Sequence, residues 1–336
     1  EVLWVGTDDG AVWLTRDGCK TWTDLTEKFK AVGLPGPRWV STIEASKWEK
    51  GRAYVTFDGH RSNDEAPYIF VTEDFGNTWK SLKANLPTGS TRVCREDIVN
   101  PELLYVGTEF SCYASINRGQ AWTKINGAKG LPTVAVHEFA QPTTANDLVV
   151  ATHGRSVWIL DVTPLRQLTT EYLKAKTALL VPSPAVRWRN EPGGSPYSAS
   201  ARKYYGQNPP RGANLDYVVG KKAEKVTLKI VDVNGVTVRE INGETSAGYH
   251  RYVWDLSRTF GERPMGKGPN PKGPNPKNPP KEPFVPVTPK LDLNPLARQP
   301  GTLPSGSYRV ILTVDGTDFA QALRIENDPN NPEASL

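Results

Sequence analysis

The chain has 336 residues, 38% of them apolar and 23% charged, enough for a folded core and too apolar for disorder throughout. Ten Trp, 12 Tyr, 29 Gly, 29 Pro and a single Met exclude a coiled coil, a collagen and a helical bundle, and point to an aromatic-rich β protein. Net charge is +5, but residues 261–304 carry seven basic and three acidic residues, so the excess lies in a Pro-rich stretch; no nucleic-acid partner is expected of such a distribution.

No window approaches the ~18 uninterrupted apolar residues of a membrane-spanning helix. The three cysteines, Cys19, Cys94 and Cys112, form no CxxC and no zinc-type spacing with histidine, so neither a metal nor a cofactor is expected. The sequence opens at Glu1 without a Met, as expected of a processed protein or a fragment.

Strand-like segments begin at once and recur. Leu3–Thr7, Ala53–Thr56, Leu104–Thr108 and Leu148–Thr152 read as one repeating strand. Another precedes three of them, at Val40–Ala45, Arg92–Glu96 and Val134–Phe139, and a third follows all four, at Ala11–Thr15, Tyr68–Thr72, Cys112–Ser115 and Ser156–Leu160. A pattern Ser/Thr-x-Asp/Asn-x-Gly-x-x-Trp then appears three times. It carries Asp17 and Trp22, then Asp74, Gly76 and Trp79, then Asn117, Gly119 and Trp122. Cys19 replaces the usual Gly in the first copy. The Trp residues lie 57 and 43 residues apart, a spacing that suits four-stranded propeller blades. A short strand follows each copy, at Trp22–Leu25, Trp79–Leu82 and Trp122–Ile125, for 14 strands in all. The motif has a local rationale. The Asp or Asn accepts main-chain N–H groups across a tight turn, the Gly allows positive φ, and the Trp packs between sheets. The first blade lacks its first strand and the last lacks its fourth, so about four blades' worth of a larger propeller is expected, completed by a protein partner or by the remainder of the same polypeptide.

The three motifs resemble the Asp-box (BNR) repeats of sialidases, sortilin-type ten-bladed receptors and xyloglucanase-type glycosidases. The wording of 54–61 (YVTFDGHR), 106–110 (VGTEF) and 152–161 (THGRSVWILD) with 163–168 (TPLRQL) is similar to a bacterial family of secreted, sortilin-like Asp-box propellers of unknown activity. The resemblance implies an extracellular or periplasmic location and a propeller longer than this chain.

Residues 1–165 are thus read as propeller and 166–212 as a connection, with a short helix over Leu165–Lys176. Strand signals return at Ala213–Val219, Lys225–Val233, Val236–Ile241, Gly248–Asp255, Ser307–Val314 and Asp318–Glu326, with a hairpin at Asn234-Gly235. Residues 213–330 are expected to form an immunoglobulin-like β-sandwich. The insert 261–304, with 13 prolines in 44 residues, reads as a solvated loop or as an arm that orders on a neighbouring subunit. The fold class expected is all-β, a partial propeller followed by a sandwich.

The box carboxylates are expected to be structural. The turns after the second strands are the candidate ligand-binding positions: Asp8, then Asp58, His60 and Arg61, then Glu109, then His153 and Arg155. A glycosidase needs two carboxylates across the bond, and Asp58 and Glu109 are the pair on offer. Arg38, Arg61, Arg95 and Arg155 form no recognisable sialidase arginine motif, and His137 and His250 read as isolated, so no catalytic residue is assigned. The reading is a non-catalytic scaffold acting through its propeller and Pro-rich arm. The alternatives are a glycan-binding protein or glycoside hydrolase using the polar turns, and a sortilin-like peptide receptor.

Overall fold

The structure is a computed structural model describing residues 1–125, 130–169, 177–188, 210–258 and 303–329. The chain divides into two compact units, Glu1–Ala175 and Lys176–Leu336. It is all-β, a partial propeller followed by a β-sandwich.

The described residues of the first unit hold fourteen strands in four antiparallel sheets. The first sheet has β1 (Leu3–Gly6), β2 (Val12–Thr15) and β3 (Thr23–Asp24). The second has β4 (Trp39–Ala45), β5 (Ala53–Asp58), β6 (Tyr68–Thr72) and β7 (Lys80–Ser81). The third has β8 (Thr91–Glu96), β9 (Leu104–Thr108), β10 (Cys112–Ser115) and β11 (Thr123–Lys124). The fourth has β12 (Val136–Ala140), β13 (Asp147–Thr152) and β14 (Val157–Asp161). In each sheet sequential strands are neighbours, and the first and last sheets carry three strands among the described residues, as the repeat pattern requires.

Three separate apolar cores lie between consecutive sheets. Val12, Leu14, Val55, Phe57 and Phe70 fill the first; Tyr54, Ile69, Leu82, Leu104 and Val106 the second; Val93, Tyr105, Val136, Leu148 and Val150 the third. Successive residues of β5, such as Tyr54 and Val55, enter different cores, so the strand is buried on both faces and reads as a continuous apolar run. Each such side chain contributes ~1.5–3 kcal/mol by burial. An unforeseen element packs into the first core. A 3₁₀ helix, Thr26–Val32, closed by Gly33 at φ 103°, drops Phe29 into the first core, with ring centroids 4.8 Å from Phe57 and 4.5 Å from Trp79.

The three boxes share one geometry. The hydroxyls of Thr15, Thr72 and Ser115 accept the N–H of Cys19, Gly76 and Gly119 at 3.0, 2.9 and 2.8 Å. Oδ1 of Asp17, Asp74 and Asn117 accepts the N–H of Thr21, Thr78 and Ala121 at 3.0, 2.9 and 3.0 Å. Two consecutive residues in each box are left-handed: Gly18-Cys19, Phe75-Gly76 and Arg118-Gly119. Trp79 and Trp122 then pack on the preceding sheet. Trp122 Nε1 donates to Leu82 O at 2.8 Å, whereas Leu25 O takes the Lys28 N–H at 3.0 Å and Trp79 Nε1 is left without a partner.

The fourth sheet leads into α1 (Thr163–Gln167); residues 170–176 of the expected helix lie outside the described residues. The second unit pairs a three-stranded sheet, β15 (Ala178–Leu179), β17 (Ala213–Val219) and β20 (Gly248–Trp254), with a five-stranded one. The latter runs β16 (Ala185–Arg187), β22 (Thr317–Asn327), β21 (Gly306–Val314), β18 (Val226–Val231), β19 (Thr237–Asn242). Leu215, Tyr217, Leu228, Ile230, Trp254, Val310 and Leu312 form its core. The hairpin at Asn234-Gly235 is present, with Gly235 at φ 79° and Asp232 Oδ1 accepting the Asn234 and Val236 N–H groups at 2.9 Å. Strands β15 and β16 come from the stretch read as a connection and join the sandwich sheets. The Pro-rich insert lies outside the described residues but for Leu303 and Pro304.

Candidate functional site

The first strands β4, β8 and β12 adjoin one another. Ser41 Oγ and Thr42 Oγ1 of β4 donate to Thr91 O and Arg92 O of β8, each at 2.9 Å. Each of the three strands slips by one residue against its neighbour, between Val40 and Thr42, Thr91 and Val93, and Val136 and Glu138. The residues at these bulges are Ser41, Arg92 and His137. A bulge interrupts the alternation of a strand and re-aims a side chain. The bulges stand at the same end of the sheets as the turns after β5, β9 and β13, which carry the candidate residues.

Arg92 is the hub. Its Nη1 donates to Asp58 Oδ2 at 2.5 Å, its Nε to Glu109 Oε2 at 2.9 Å, and its Nη2 also reaches Glu109. Asp58 is buried, and its Oδ1 accepts from Ser90 Oγ at 2.7 Å and from the His60 N–H at 2.9 Å. Ser90 Oγ in turn accepts the Gly59 N–H at 2.9 Å. His60 Nδ1 meets Glu65 Oε1 at 2.8 Å; that bond, then the charge of Glu109, raises the His60 pKa above the ordinary imidazole value. On the other side His137 and His153 stack, with ring centroids 5.3 Å apart. Burial, then Arg92 and His153, lower the His137 pKa. Three of the four histidines of the chain therefore gather around one arginine.

Of the seven candidate positions, Asp58, His60, Glu109 and His153 join this cluster, and three do not. Arg61 instead lies over the Trp39 ring at 4.3 Å. Arg155 is exposed, and its carbonyl accepts the Trp158 indole N–H at 2.9 Å. Asp8 is exposed in a turn whose neighbour Asp9 takes the Thr7 hydroxyl. Arg92, Ser90 and Glu65 were missed in the sequence, and His137 was read as isolated. The available signal was the repeated slip Val40-Ser41-Thr42, Thr91-Arg92-Val93, Val136-His137-Glu138, which shows only when the inner strands are aligned.

The chemistry follows from the pairing. Asp58 and Glu109, the pair offered as a glycosidase acid and base, are both tied to the Arg92 guanidinium. What remains accessible is a hydrogen-bonding surface of imidazoles and carboxylate edges. A second arginine on β8, Arg95, joins Glu44 at 3.1 Å and Glu138 at 2.7 Å. Burial raises the Glu44 pKa, and Arg95 opposes it. Among the described residues no group of three or more His, Cys, Asp or Glu is arranged to hold a metal ion, and no helix is long and apolar enough to cross a membrane. Cys19 is exposed; Cys94 and Cys112 are buried, and burial pushes their thiol pKa values up.

No family model and no curated protein matches the chain. Similar solved structures include a GH74 enzyme of Niastella koreensis, at 14% identity and a TM-score of 0.35 over 48% of this chain and 26% of that one. YCF48 bound to D1 peptide gives 13% identity and 0.33 over 72% of this chain and 65% of that one. The extracellular domain of the hybrid two-component system BT3049 of B. thetaiotaomicron gives 10% identity and 0.38 over 97% and 37%. The chain thus spans less than two thirds of each of these proteins. Likenesses this distant carry no argument, and the assignment of fold rests on the chain's own sheets.

Proposed function

We propose that this chain is a non-catalytic interaction scaffold, extracellular or periplasmic, whose arc of four sheets is completed by further sheet from a protein partner or from the remainder of the same polypeptide. The observation that carries it is the pair of open faces. On the fourth sheet Val157 and Ile159 are 59% and 67% exposed, although the matching strands β6 and β10 are buried almost throughout. On the first sheet Val5 is 41% exposed, although β5 and β9 are buried along their length. Apolar residues placed in this way mark an interaction surface. The location rests on the resemblance of the boxes to those of secreted propellers. The test is mass, measured natively and after denaturation. A native mass above the 37.0 kDa of this chain is expected; where denaturation brings it down to 37.0 kDa a partner completes the arc, and Ile159→Lys then lowers the native mass. A protein of 37.0 kDa in both states, unaffected by that change, overturns the reading.

A second reading, glycan recognition, is favoured by the imidazole cluster. The exposed His60 and His153 are the residues to test. Binding of a neutral oligosaccharide that is lost in His60→Ala and His153→Ala supports it, and unchanged binding removes it.

A further inference from the structure

The inner boxes fix how one sheet seats on the sheet before it. A Cβ built on Gly76 would lie 2.5 Å from Leu25 Cδ1, and one on Gly119 would lie 2.9 Å from Leu82 Cδ1. Leu25 and Leu82 hold the same place, three residues after Trp22 and Trp79, and both are buried. The leucine of one sheet therefore fills the space that the box glycine of the next leaves open. The same contact shelters the box Trp: Trp79 is 8% exposed and Trp122 4%.

The first box departs from this in two respects. Trp22 is 40% exposed. Cys19 stands where Gly76 and Gly119 stand, in the same backbone conformation, with φ 71° against 76° and 82°. Its N–H bonds to Thr15 Oγ1 as theirs bond to Thr72 and Ser115. The turn is conserved within the chain while a side chain projects into the place of the leucine.

We infer that the open face of the first sheet is the seat of a further box-type sheet, and that this sheet carries opposite Cys19 a residue smaller than leucine, whose missing volume the Cys19 thiol fills. The inference rests on the completed arc proposed above and names what completes it. Continuity argues for this occupant: the face prolongs a series of two interfaces, each built from a box Trp, a box glycine and a leucine. A second copy of the chain docking its fourth sheet here is a poorer fit. Among the described residues that sheet ends at β14 and offers no fourth strand to supply a seat.

Thiol footprinting tests it. Iodoacetamide is applied under native conditions to this chain alone and to the assembly in which the arc is completed, and adducts are counted by peptide mass, with hydroxyl-radical oxidation of Trp22 read in parallel. In the chain alone Cys19 reacts, and the buried Cys94 and Cys112 serve as unreactive controls. In that assembly Cys19 and Trp22 are both protected. Protection of Trp22 with Cys19 still reactive overturns the inference and leaves the completed arc standing. Reactivity of both in every form overturns both readings. A second arm uses size. Cys19→Leu weakens assembly by about tenfold or more through overpacking, while Cys19→Gly retains it. Equal assembly of the two variants overturns the small seat.

Discussion

Arg92 and Arg95 stand three residues apart on β8, and each guanidinium joins carboxylates from two different sheets. Arg92 links Asp58 of the second sheet to Glu109 of the third, and Arg95 links Glu44 of the second to Glu138 of the fourth. The two ties differ in depth. Asp58 is fully buried as a side chain, whereas Glu138 is half exposed. Arg92→Ala leaves a buried carboxylate without its countercharge and should cost about 3 kcal/mol. Arg95→Ala should cost about 1 kcal/mol or less. Denaturant unfolding of the two variants side by side checks the contrast, and equal losses would contradict it.

The box tryptophans should divide in the same way. Trp122→Ala empties a buried site and removes the indole bond to Leu82 O, for a loss of about 3–5 kcal/mol. Trp22→Ala in this chain alone should cost less, about 1 kcal/mol, since the residue is 40% exposed. Thermal or urea unfolding of this chain separates the two.

Acid should act first on the boxes that carry a carboxylate. The N–H and hydroxyl of Thr21 hold Asp17 down at about 2, and Thr78 likewise lowers Asp74. A carboxylate whose folded pKa is depressed lends stability that is complete above its unfolded pKa, about 4. That stability is lost as pH falls through the folded value, so the window runs from about 4 down to about 2. Asn117 has no charge to lose. The slope of stability against pH in that window should flatten in Asp17→Asn and Asp74→Asn, and an unchanged slope would count against the role given to these bonds.

Two histidines of one cluster should titrate in opposite directions. His60, raised by Glu65 and Glu109, contributes stability that is present below its unfolded pKa and lost as pH rises through the folded one. His137, lowered by burial and Arg92, stays neutral, and its protonation weakens the fold as pH falls below about 6.5. Imidazole NMR titration should place His60 above His137, and Glu65→Gln should bring His60 back toward the ordinary value. Coincident midpoints would refute the assignment.

The strands and boxes were legible because each is written in local chemistry. Alternation or continuous apolar runs mark β5, β9 and β13, and the box turn with its Trp marks the ends of β2, β6 and β10. The all-β class and the fourteen-strand arc follow from these repeats. The site was half legible. Polar turns pointed to Asp58, His60, Glu109 and His153, but Arg92 and His137 owe their places to a slip in pairing register that composition does not record. Arg61 stands apart from the cluster because its guanidinium lies over the Trp39 ring. Phe29 was invisible because a seven-residue 3₁₀ helix that buries one side chain has no period long enough to read.

The three cores between sheets share no member, so each sheet is held only by its immediate neighbours. Such a molecule behaves as a short linear array, with its free energy a sum over adjacent pairs. The second and third sheets have two neighbours each, and the first and fourth have one. Amide exchange should therefore be slowest at Val55 and Val106 and quicken toward Val5 and Ile159, with the array fraying from its ends inward.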